Sequence, residues 1–371
     1  MYLEKVILTN FKNYSAADVQ FARDFNIITG NNGQGKTNLL DAIYLLCMTK
    51  SYFQYSEKNL IKFDKDFFRV DGNFHLNDEI INVVCKYKLP NNKSFIVNDK
   101  EVRKFSHFIG KLPAVMIAPG DIQLIEEGSE ERRKFIDISI CQGNREYLES
   151  LNKYNKILKQ RNSLLKQINR DGRSQQELID YYNEEMAIIS EFIMNSRRIF
   201  TDEINIIYNE IYEQIASGKE DVNCLYLPDC QGQKADFIEA YRASYKKDLI
   251  LERTTRGIHK DDLEFIISAL PVKRIGSQGQ IKSTIFAAKL AQYHWLKKII
   301  GTKPILLLDD IFDKLDHHRV TNLLKIIDSD EYGQVFITDT YSERVNNILP
   351  ELKKKSNSFT INEGKVAAHG K

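Results

Sequence analysis

The first fifty residues change from strand-like to helical patterning. Apolar and polar side chains alternate from Tyr2 to Leu8, which predicts a half-buried β-strand. The mostly apolar segment Phe25–Thr29 predicts a buried strand, and it leads directly into Gly30. From Thr37 onward, apolar residues recur on one face of a helix. A strand, a glycine-containing loop and a helix therefore follow one another.

Short apolar segments elsewhere in the chain predict the remaining strands. They share β-branched or aromatic residues and boundaries rich in Gly, Pro, Asn or Asp: 67–74, 79–89, 114–117, 263–268, 305–308 and 335–338. Asn77-Asp78 joins the first two, which predicts an antiparallel pair. Helical periodicity returns over 280–300.

The middle of the chain has mainly helical patterning. Residues 144–217 contain one glycine and no proline. Two sets of residues recur every seven positions: Leu151, Leu158 and Leu165, and Tyr147, Tyr154, Arg161 and Ile168. A second apolar stripe over 186–211 follows a break at 171–174, where Ser174 can cap the next helix. Two helices joined by a short turn predict an antiparallel hairpin, an arm outside the sheets.

The order of these patterns predicts an α/β head with mixed sheets, interrupted by an inserted helical arm. The expected parts are 1–143 and 251–371 for the two halves of the head, and 144–250 for the arm with its connecting segment. A length of 371 residues is compatible with two or three domains at about 100–200 residues each.

Composition narrows the class of protein. Lys and Arg total 53 against 51 acidic residues, so any phosphate-binding surface must be a local patch. The five cysteines are scattered without a CxxC pair, which favours reduced thiols over a metal site. The N-terminus lacks a signal-peptide pattern, and no apolar stretch has the ~20 residues that cross a bilayer. We expect a soluble, cytoplasmic protein with no membrane partner.

The loop after the second predicted strand carries a phosphate-binding pattern. The residues Gly30, Asn31, Asn32, Gly33, Gln34, Gly35, Lys36 and Thr37 match G-x-x-x-x-G-K-[ST] between a strand and a helix. Glycines let backbone N–H groups surround a phosphate, and the helix N-terminus favours its charge. We predict ATP binding, with Lys36 on the β- and γ-phosphates as a catalytic group and Thr37 as an Mg²⁺ ligand.

Such a loop needs an acidic partner to hold Mg²⁺ and orient water. Asp309 and Asp310 follow the apolar strand 305–308. We predict Asp309 as the second Mg²⁺ ligand and Asp310 as the catalytic residue that polarises the attacking water.

A third element precedes the acidic strand at the start of the predicted helix. Ser277, Gln278, Gly279 and Gln280 form a glycine-containing helix N-terminus, and Asp313-Lys314-Leu315-Asp316 follows the strand. This order resembles the signature motif and D-loop of the ABC-type ATPases. That resemblance implies that Ser277–Gln280 and Asp316 contact the ATP bound to a second subunit, in an ATP-dependent homodimer.

Further motifs point to one family among these ATPases. They occur in one order along the chain: Leu8–Tyr14, Gly30–Gly33, Thr49–Ser51, Ala118–Asp121, Arg132–Asp137, Gly257–Asp262, Ser277–Gln280 and Asp309-Asp310. With its short arm, the chain resembles the RecF family of bacterial recombinational repair proteins, members of the ABC/SMC-like ATPases. The resemblance implies DNA binding, slow ATP hydrolysis that resets the complex, recombinase loading, and RecR and RecO as partners.

The predicted arm also carries positive charge. The basic residues are Lys153, Lys156, Lys159, Arg161, Lys166, Arg170 and Arg173. This stripe is either a solvated helix face or a contact for DNA phosphates, for which we single out Lys156, Lys159 and Lys166.

Two other function classes stay open from the residues alone. A transporter-type ATPase subunit is disfavoured by the arm and by Thr338-Asp339-Thr340, which lacks the histidine that transporters place there. A P-loop kinase would have no use for Ser277–Gln280. His259 and the pair Arg132-Arg133 fit structural roles as well as ligand contacts.

Overall fold

The computed structural model describes most of the chain and divides it into two compact units. The described residues are 1–54, 56–173, 175–216, 218, 220–310, 317–340 and 353–369. Unit 1 comprises Met1–Ile122, Ile211–Lys219 and Gln278–Lys371, and unit 2 comprises Gln123–Glu210 and Glu220–Ser277. The predicted three-part division of head and arm stays a prediction.

Unit 1 contains an antiparallel sheet in the order β2-β1-β4-β5-β6-β7. Its strands are β1 (Tyr2–Phe11), β2 (Tyr14–Gln20), β4 (Phe67–Leu76), β5 (Glu79–Lys88), β6 (Asn92–Val97) and β7 (Lys100–Glu101). Asn77 and Asp78 join β4 to β5 with φ of 48° and 65°. Two successive left-handed residues give the tight turn that an antiparallel pair requires, as predicted from this dipeptide.

The second sheet of unit 1 is mainly parallel and has the order β15-β14-β3-β13-β12-β8. Its strands are β3 (Phe25–Thr29), β8 (Ala114–Ile117), β12 (Ile305–Leu308), β13 (Val335–Asp339), β14 (Ser356–Asn362) and β15 (Lys365–His369). The strands from β14 to β8 run parallel, while β15 runs antiparallel to β14. The carboxyl ends of the parallel strands therefore meet at one edge, where ligands bind in such sheets.

The described part of unit 1 contains three helices of ten or more residues: α1 (Lys36–Met48), α8 (Gln278–Ile300) and α9 (His317–Ile327). Helix α1 contacts β1, β4 and β5 of the first sheet and β8 and β13 of the second. It is buried on nearly every side, as expected of a helix between two sheets. Helix α8 packs on β8.

Unit 2 is mainly helical. Its elements are α2 (Gln123–Glu126), α3 (Ser129–Gly143), α4 (Arg145–Asp171), most of α5 (Gln176–Ala216), β9 (Val222–Leu227), α6 (Lys234–Leu251), β10 (Asp262–Ile267), β11 (Leu270–Pro271) and α7 (Val272–Ile275). The three strands form an antiparallel sheet in the order β11-β10-β9. Helices α4 and α5 are the two predicted helices of the arm. Gly172, with φ of 67°, ends α4, and Ser174 lies outside the described residues.

Burial in α4 corrects one prediction for the basic stripe. Arg161 is fully buried, and its guanidinium donates to Asn183, Asp248 and Thr254. It occupies the predicted heptad core position, so it is not part of a basic surface. Among the described residues, no helix is long and apolar enough to cross a membrane.

Candidate nucleotide-binding site

The loop Gly30–Thr37 joins β3 to α1 at the carboxyl edge of the parallel sheet. Gly30 has φ of 148°, and a Cβ there would lie 2.4 Å from the carbonyl oxygen of Ile361. Gly35 has φ of 119°, and its Cβ would lie 2.5 Å from the Asn13 amide. Both positions therefore favour glycine for conformation, and Gly30 also requires it for space because the backbone of Ile361 cannot easily move. A glycine loop before a helix N-terminus is a conformation that can direct backbone N–H groups at a phosphate.

Lys36 is buried at the start of α1, with its side chain folded across the loop. Its ammonium donates to the carbonyl oxygen of Gly30 at 2.7 Å and to that of Asn31 at 3.3 Å. A buried ammonium requires such acceptors, since an unpaired one would lose its solvation. The positive charge of Lys36 therefore lies inside the loop. A phosphate oxygen could take the place of the Gly30 and Asn31 carbonyl oxygens as its acceptor.

Thr37 and Asp309 lie together, although 272 positions separate them in the sequence. The Thr37 hydroxyl lies 3.0 and 2.9 Å from the two carboxylate oxygens of Asp309. The Thr338 hydroxyl donates to the same carboxylate at 2.8 Å. Burial raises the pKa of the Asp309 carboxyl, and the two hydroxyl donors oppose that shift. The structure thus brings the two predicted Mg²⁺ ligands together at one point.

Asp310 follows Asp309 in a left-handed conformation with φ of 44°. Its backbone N–H donates to the Thr338 hydroxyl at 2.8 Å, and its side chain is partly exposed. A non-glycine residue in this conformation costs of order 1–3 kcal/mol, and such strain is common at functional sites. Thr338 therefore fixes both acidic residues, a role that the sequence did not indicate.

Two turns hold the loop at Gln34. On one side, the Asn13 amide donates to the Gln34 carbonyl oxygen at 2.7 Å. On the other, the Gly364 N–H donates to the same oxygen at 3.2 Å, and the Glu363 N–H donates to the Gln34 side chain. Asn13 lies within the motif Leu8–Tyr14, whereas the sequence carried no signal for the second turn. At the loop's other end, Asn32 accepts a hydrogen bond from Thr340.

The predicted signature segment begins α8. Gln278 is the first residue of the helix, Ser277 immediately precedes it, and both side chains are exposed. A Cβ on Gly279 would lie 1.7 Å from the Arg319 guanidinium, so a larger residue there would require that flexible side chain to move. Gln280 is partly exposed one residue later. The D-loop residues, Asp316 among them, lie outside the described residues.

His259 is a partly buried residue of unit 2, and both of its ring nitrogens lie within hydrogen-bonding distance of a partner. Its Nε2 lies 3.0 Å from the Thr254 carbonyl oxygen, and its Nδ1 lies 2.7 Å from the Tyr154 hydroxyl. A neutral imidazole with Nε2 protonated satisfies both partners. Burial lowers the pKa of His259 to about 4, so it is uncharged at neutral pH. Arg132 is likewise paired, through two hydrogen bonds to Asp262.

The three lysines singled out for DNA lie on α4. Lys156, Lys159 and Lys166 are all exposed. Their neighbour Lys153 forms an ion pair with Glu185 of α5 at 2.8 Å. Exposed ammonium groups along one helix can follow a phosphate backbone without reading bases.

Comparison with known proteins identifies the family. The family model described as "RecF/RecN/SMC N terminal domain" matches residues 2–358. The chain is 39% identical to the "DNA replication and repair protein RecF" of Bacteroides thetaiotaomicron, over 100% of this chain and 99% of that protein. The chain belongs to the RecF family. The RecF of Flavobacterium johnsoniae is 40% identical, over 97% of this chain and 100% of its own length.

A solved RecF structure shares the fold. The structure titled "recombination mediator protein RecF-ATP in RecFOR pathway" has a TM-score of 0.90 and 28% identity, and covers 100% of this chain and 98% of that chain. The resemblance stated from the sequence motifs is thereby confirmed. The predicted class, an ABC-type ATPase head with mixed sheets and a helical arm, is confirmed as well.

Proposed function

We propose that this protein is an ATP-dependent DNA-binding protein of recombinational repair and replication. The observation that carries the proposal is the meeting of Thr37 with Asp309 beside the glycine loop. In that arrangement, three groups lie at one edge of the sheet. They are the backbone amides of the glycine loop, the buried ammonium of Lys36, and the adjacent oxygen atoms of Thr37 and Asp309. These are the parts from which P-loop ATPases are built.

ATP is the expected ligand of the loop. The β- and γ-phosphates would lie against the N–H groups before α1, where the helix dipole favours negative charge. Lys36 would then exchange the Gly30 carbonyl oxygen, now 2.7 Å away, for phosphate oxygens. Membership of the RecF family and likeness to a RecF titled as an ATP complex support this ligand.

The paired oxygens of Thr37 and Asp309 fit Mg²⁺. A hydroxyl and a carboxylate within 3.0 Å of each other can serve as adjacent ligands of a small, hard cation, whose other ligands are water and phosphate. When bound, Mg²⁺ neutralises charge that develops on the phosphates. Thr338 keeps the Asp309 carboxylate in place, and Asp310 is positioned to polarise a water molecule.

The exposed signature segment supports an ATP-dependent homodimer. Ser277 and Gln278 present a helix N-terminus to solvent, and such an N-terminus favours an anion. In the proposed dimer, this segment and Asp316 contact ATP held by the other subunit. Slow hydrolysis, with Asp310 and Lys36 as the catalytic residues, then releases the dimer from DNA.

The dimer would bind DNA in duplex, gapped or single-stranded-end form and help load recombinase. RecO and RecR are the expected partners, since a structure similar to this chain is titled as a mediator of the RecFOR pathway. The relatives named for DNA replication and repair favour this function over a transporter subunit or a small-molecule kinase.

Sedimentation of the full chain with and without ATP and DNA tests the proposal directly. The chain alone should sediment as a monomer, and ATP with Mg²⁺ should shift it to a dimer. A labelled gapped duplex should co-sediment strongly only when ATP is present. DNA binding of equal strength without nucleotide would contradict ATP gating, and a monomer under every condition would contradict the composite site.

The lysines of α4 give a second prediction. Replacing Lys156, Lys159 and Lys166 by glutamate should weaken DNA binding and flatten its dependence on salt. Each lost phosphate contact lowers the slope of log affinity against log salt by about 0.9. Mobility shifts at several salt concentrations, with ATP present, measure both quantities.

A matched variant separates local contact from overall charge. Lys58, Lys65 and Lys88 are exposed lysines of unit 1, and their replacement by glutamate changes the net charge equally. This control should retain most of the salt slope. If both triple variants lose the slope to the same extent, the α4 surface is not the contact.

A further inference from the structure

Helix α5 carries an exposed apolar stripe on its outer face. The exposed fractions are 58% for Tyr181, 51% for Ile188, 60% for Ile199 and 66% for Ile206. Their spacings are seven, eleven and seven residues. At 3.6 residues per turn, all four side chains fall within about 20° of one line along the helix. Phe192, partly exposed, fills the central gap. This stripe is separate from the buried face of the same helix.

Exposed acidic residues flank the stripe, three of them on one side and Glu210 on the other. The exposed carboxylates are Glu177, Glu184, Asp202 and Glu210. The two arginines of α5 lie elsewhere, since Arg197 is buried in ion pairs with Asp137 and Asp261. Arg198 lies about 90° around the helix from the stripe. The surface is thus an apolar line with a negative rim, opposite in charge to the lysines of α4.

We propose that this α5 stripe is a docking surface for a basic amphipathic helix of a partner protein. Exposed isoleucines in regular helical register favour burial, because each removes apolar area from water on binding. An amphipathic helix laid along another helix buries residues at such spacings. The negative rim selects a partner with Lys or Arg beside its apolar residues. Nucleic acid and anionic lipid surfaces would be repelled by the same rim.

A second copy of the chain fits the apolar spacing but not the charge. The spacing reads the same in both directions, so an antiparallel copy would place Tyr181 opposite Ile206 and Ile188 opposite Ile199. The two-fold axis of that pairing would place Glu184 of each copy beside Asp202 of the other, on the same side of the interface. Like charges side by side disfavour that pairing, as they do in other specific interfaces. The charge pattern therefore selects a basic partner over self-association.

The stripe also sets the length of the partner element. Tyr181 and Ile206 lie 25 residues apart, which is about 38 Å of helix at 1.5 Å per residue. A partner helix of about seven turns can contact the whole stripe. This surface needs no nucleotide, so it goes beyond the ATP-dependent function proposed above and can be tested without it.

Fluorescence anisotropy with a designed peptide tests the docking surface. The probe is a labelled amphipathic helix of about 28 residues with leucines at the same spacing and lysines on both sides. It should bind the full-length chain without ATP. Replacing Ile188 and Ile199 together by glutamine should weaken binding about tenfold or more, because two buried anchors are lost. Replacing Glu184 by glutamine and Asp202 by asparagine should weaken binding and flatten its salt dependence.

Binding at the stripe should depend on its own isoleucines and on the charge of the peptide. Ile250→Gln changes an isoleucine that is 78% exposed on α6 of the same unit, and should leave binding unchanged. A peptide with glutamates in place of the lysines should fail to bind. Equal binding of both peptides, or undiminished binding to the Ile188 and Ile199 variant, would refute the proposal. A nucleotide-free dimer that is lost in that variant would instead assign the stripe to a second copy.

Discussion

Replacing Lys36 by methionine is expected to lower the affinity for ATP by on the order of 100-fold or more. The ammonium lies 2.7 Å from the Gly30 carbonyl oxygen, inside the loop where the phosphates would bind. Methionine has a similar length but no charge, so it cannot donate to phosphate oxygens. Each hydrogen bond to a charged group contributes about 1.5–3 kcal/mol, and two such bonds give the expected loss. Isothermal titration calorimetry with ATP and Mg²⁺ measures it.

Lys65→Met provides the matched control for this loss. Lys65 is exposed in the same unit, so its replacement should leave ATP affinity unchanged within about twofold. Thermal melting of both variants without nucleotide shows whether the fold is kept. A folded Lys36→Met chain that retains wild-type affinity in calorimetry would remove the loop from nucleotide binding.

Local patterning predicted the parallel strands β3, β8, β12 and β13 closely and gave no prediction for β14. Strands β3, β8 and β12 begin and end where the sequence predicted. Each is a short, buried, mostly apolar segment followed by residues that break a strand: Gly30, Ala118-Pro119 and Asp309-Asp310. The glycine spacing and the lysine located the loop for the same reason, because backbone conformation at a phosphate site restricts residue type locally.

The sequence did not predict the contacts between distant segments of the chain. The turn at Glu363 and Gly364 holds Gln34, more than 300 positions earlier. Neither turn residue differs from an ordinary hairpin residue, so no local signal points to the loop. The sequence singled out Thr338 only as part of Thr338-Asp339-Thr340, the segment that lacks the transporter histidine, whereas its hydroxyl holds Asp309 and the backbone of Asp310.

Helical periodicity also left ambiguities that burial resolves. From the sequence, Arg161 could belong either to the heptad core or to the basic stripe. Its buried hydrogen bond to Asp248, 87 positions away, places it in the core. Periodicity in α5 identified the buried stripe over 186–211 and did not separate it from the exposed line that contains Ile188 and Ile199. A helix with apolar residues on two faces needs its neighbours in place before one face can be assigned to the core.

The signature segment gives the second large effect. Ser277→Arg is expected to leave ATP binding by the monomer unchanged and to abolish ATP-dependent dimerisation. Ser277 is exposed immediately before α8, so a long cationic side chain can be accommodated in the free chain. In the proposed dimer, the same side chain would occupy the space between the helix N-terminus and the partner's phosphates. Light scattering with ATP and Mg²⁺ measures the dimer, and calorimetry measures the monomer's affinity.

Ser163→Arg is the appropriate comparison, because Ser163 is an exposed serine of α4 far along the sequence from the signature. That variant should dimerise normally with ATP. Loss of dimerisation in both variants would indicate a general effect of charge, and a normal dimer in Ser277→Arg would refute the contact in trans. If the Ser277→Arg monomer does not bind ATP, the signature segment contacts the ATP bound to its own subunit. If the Ser277→Arg chain binds ATP but does not dimerise, the glycine loop is one half of a composite site. The other half is then α8 of a second copy of the chain.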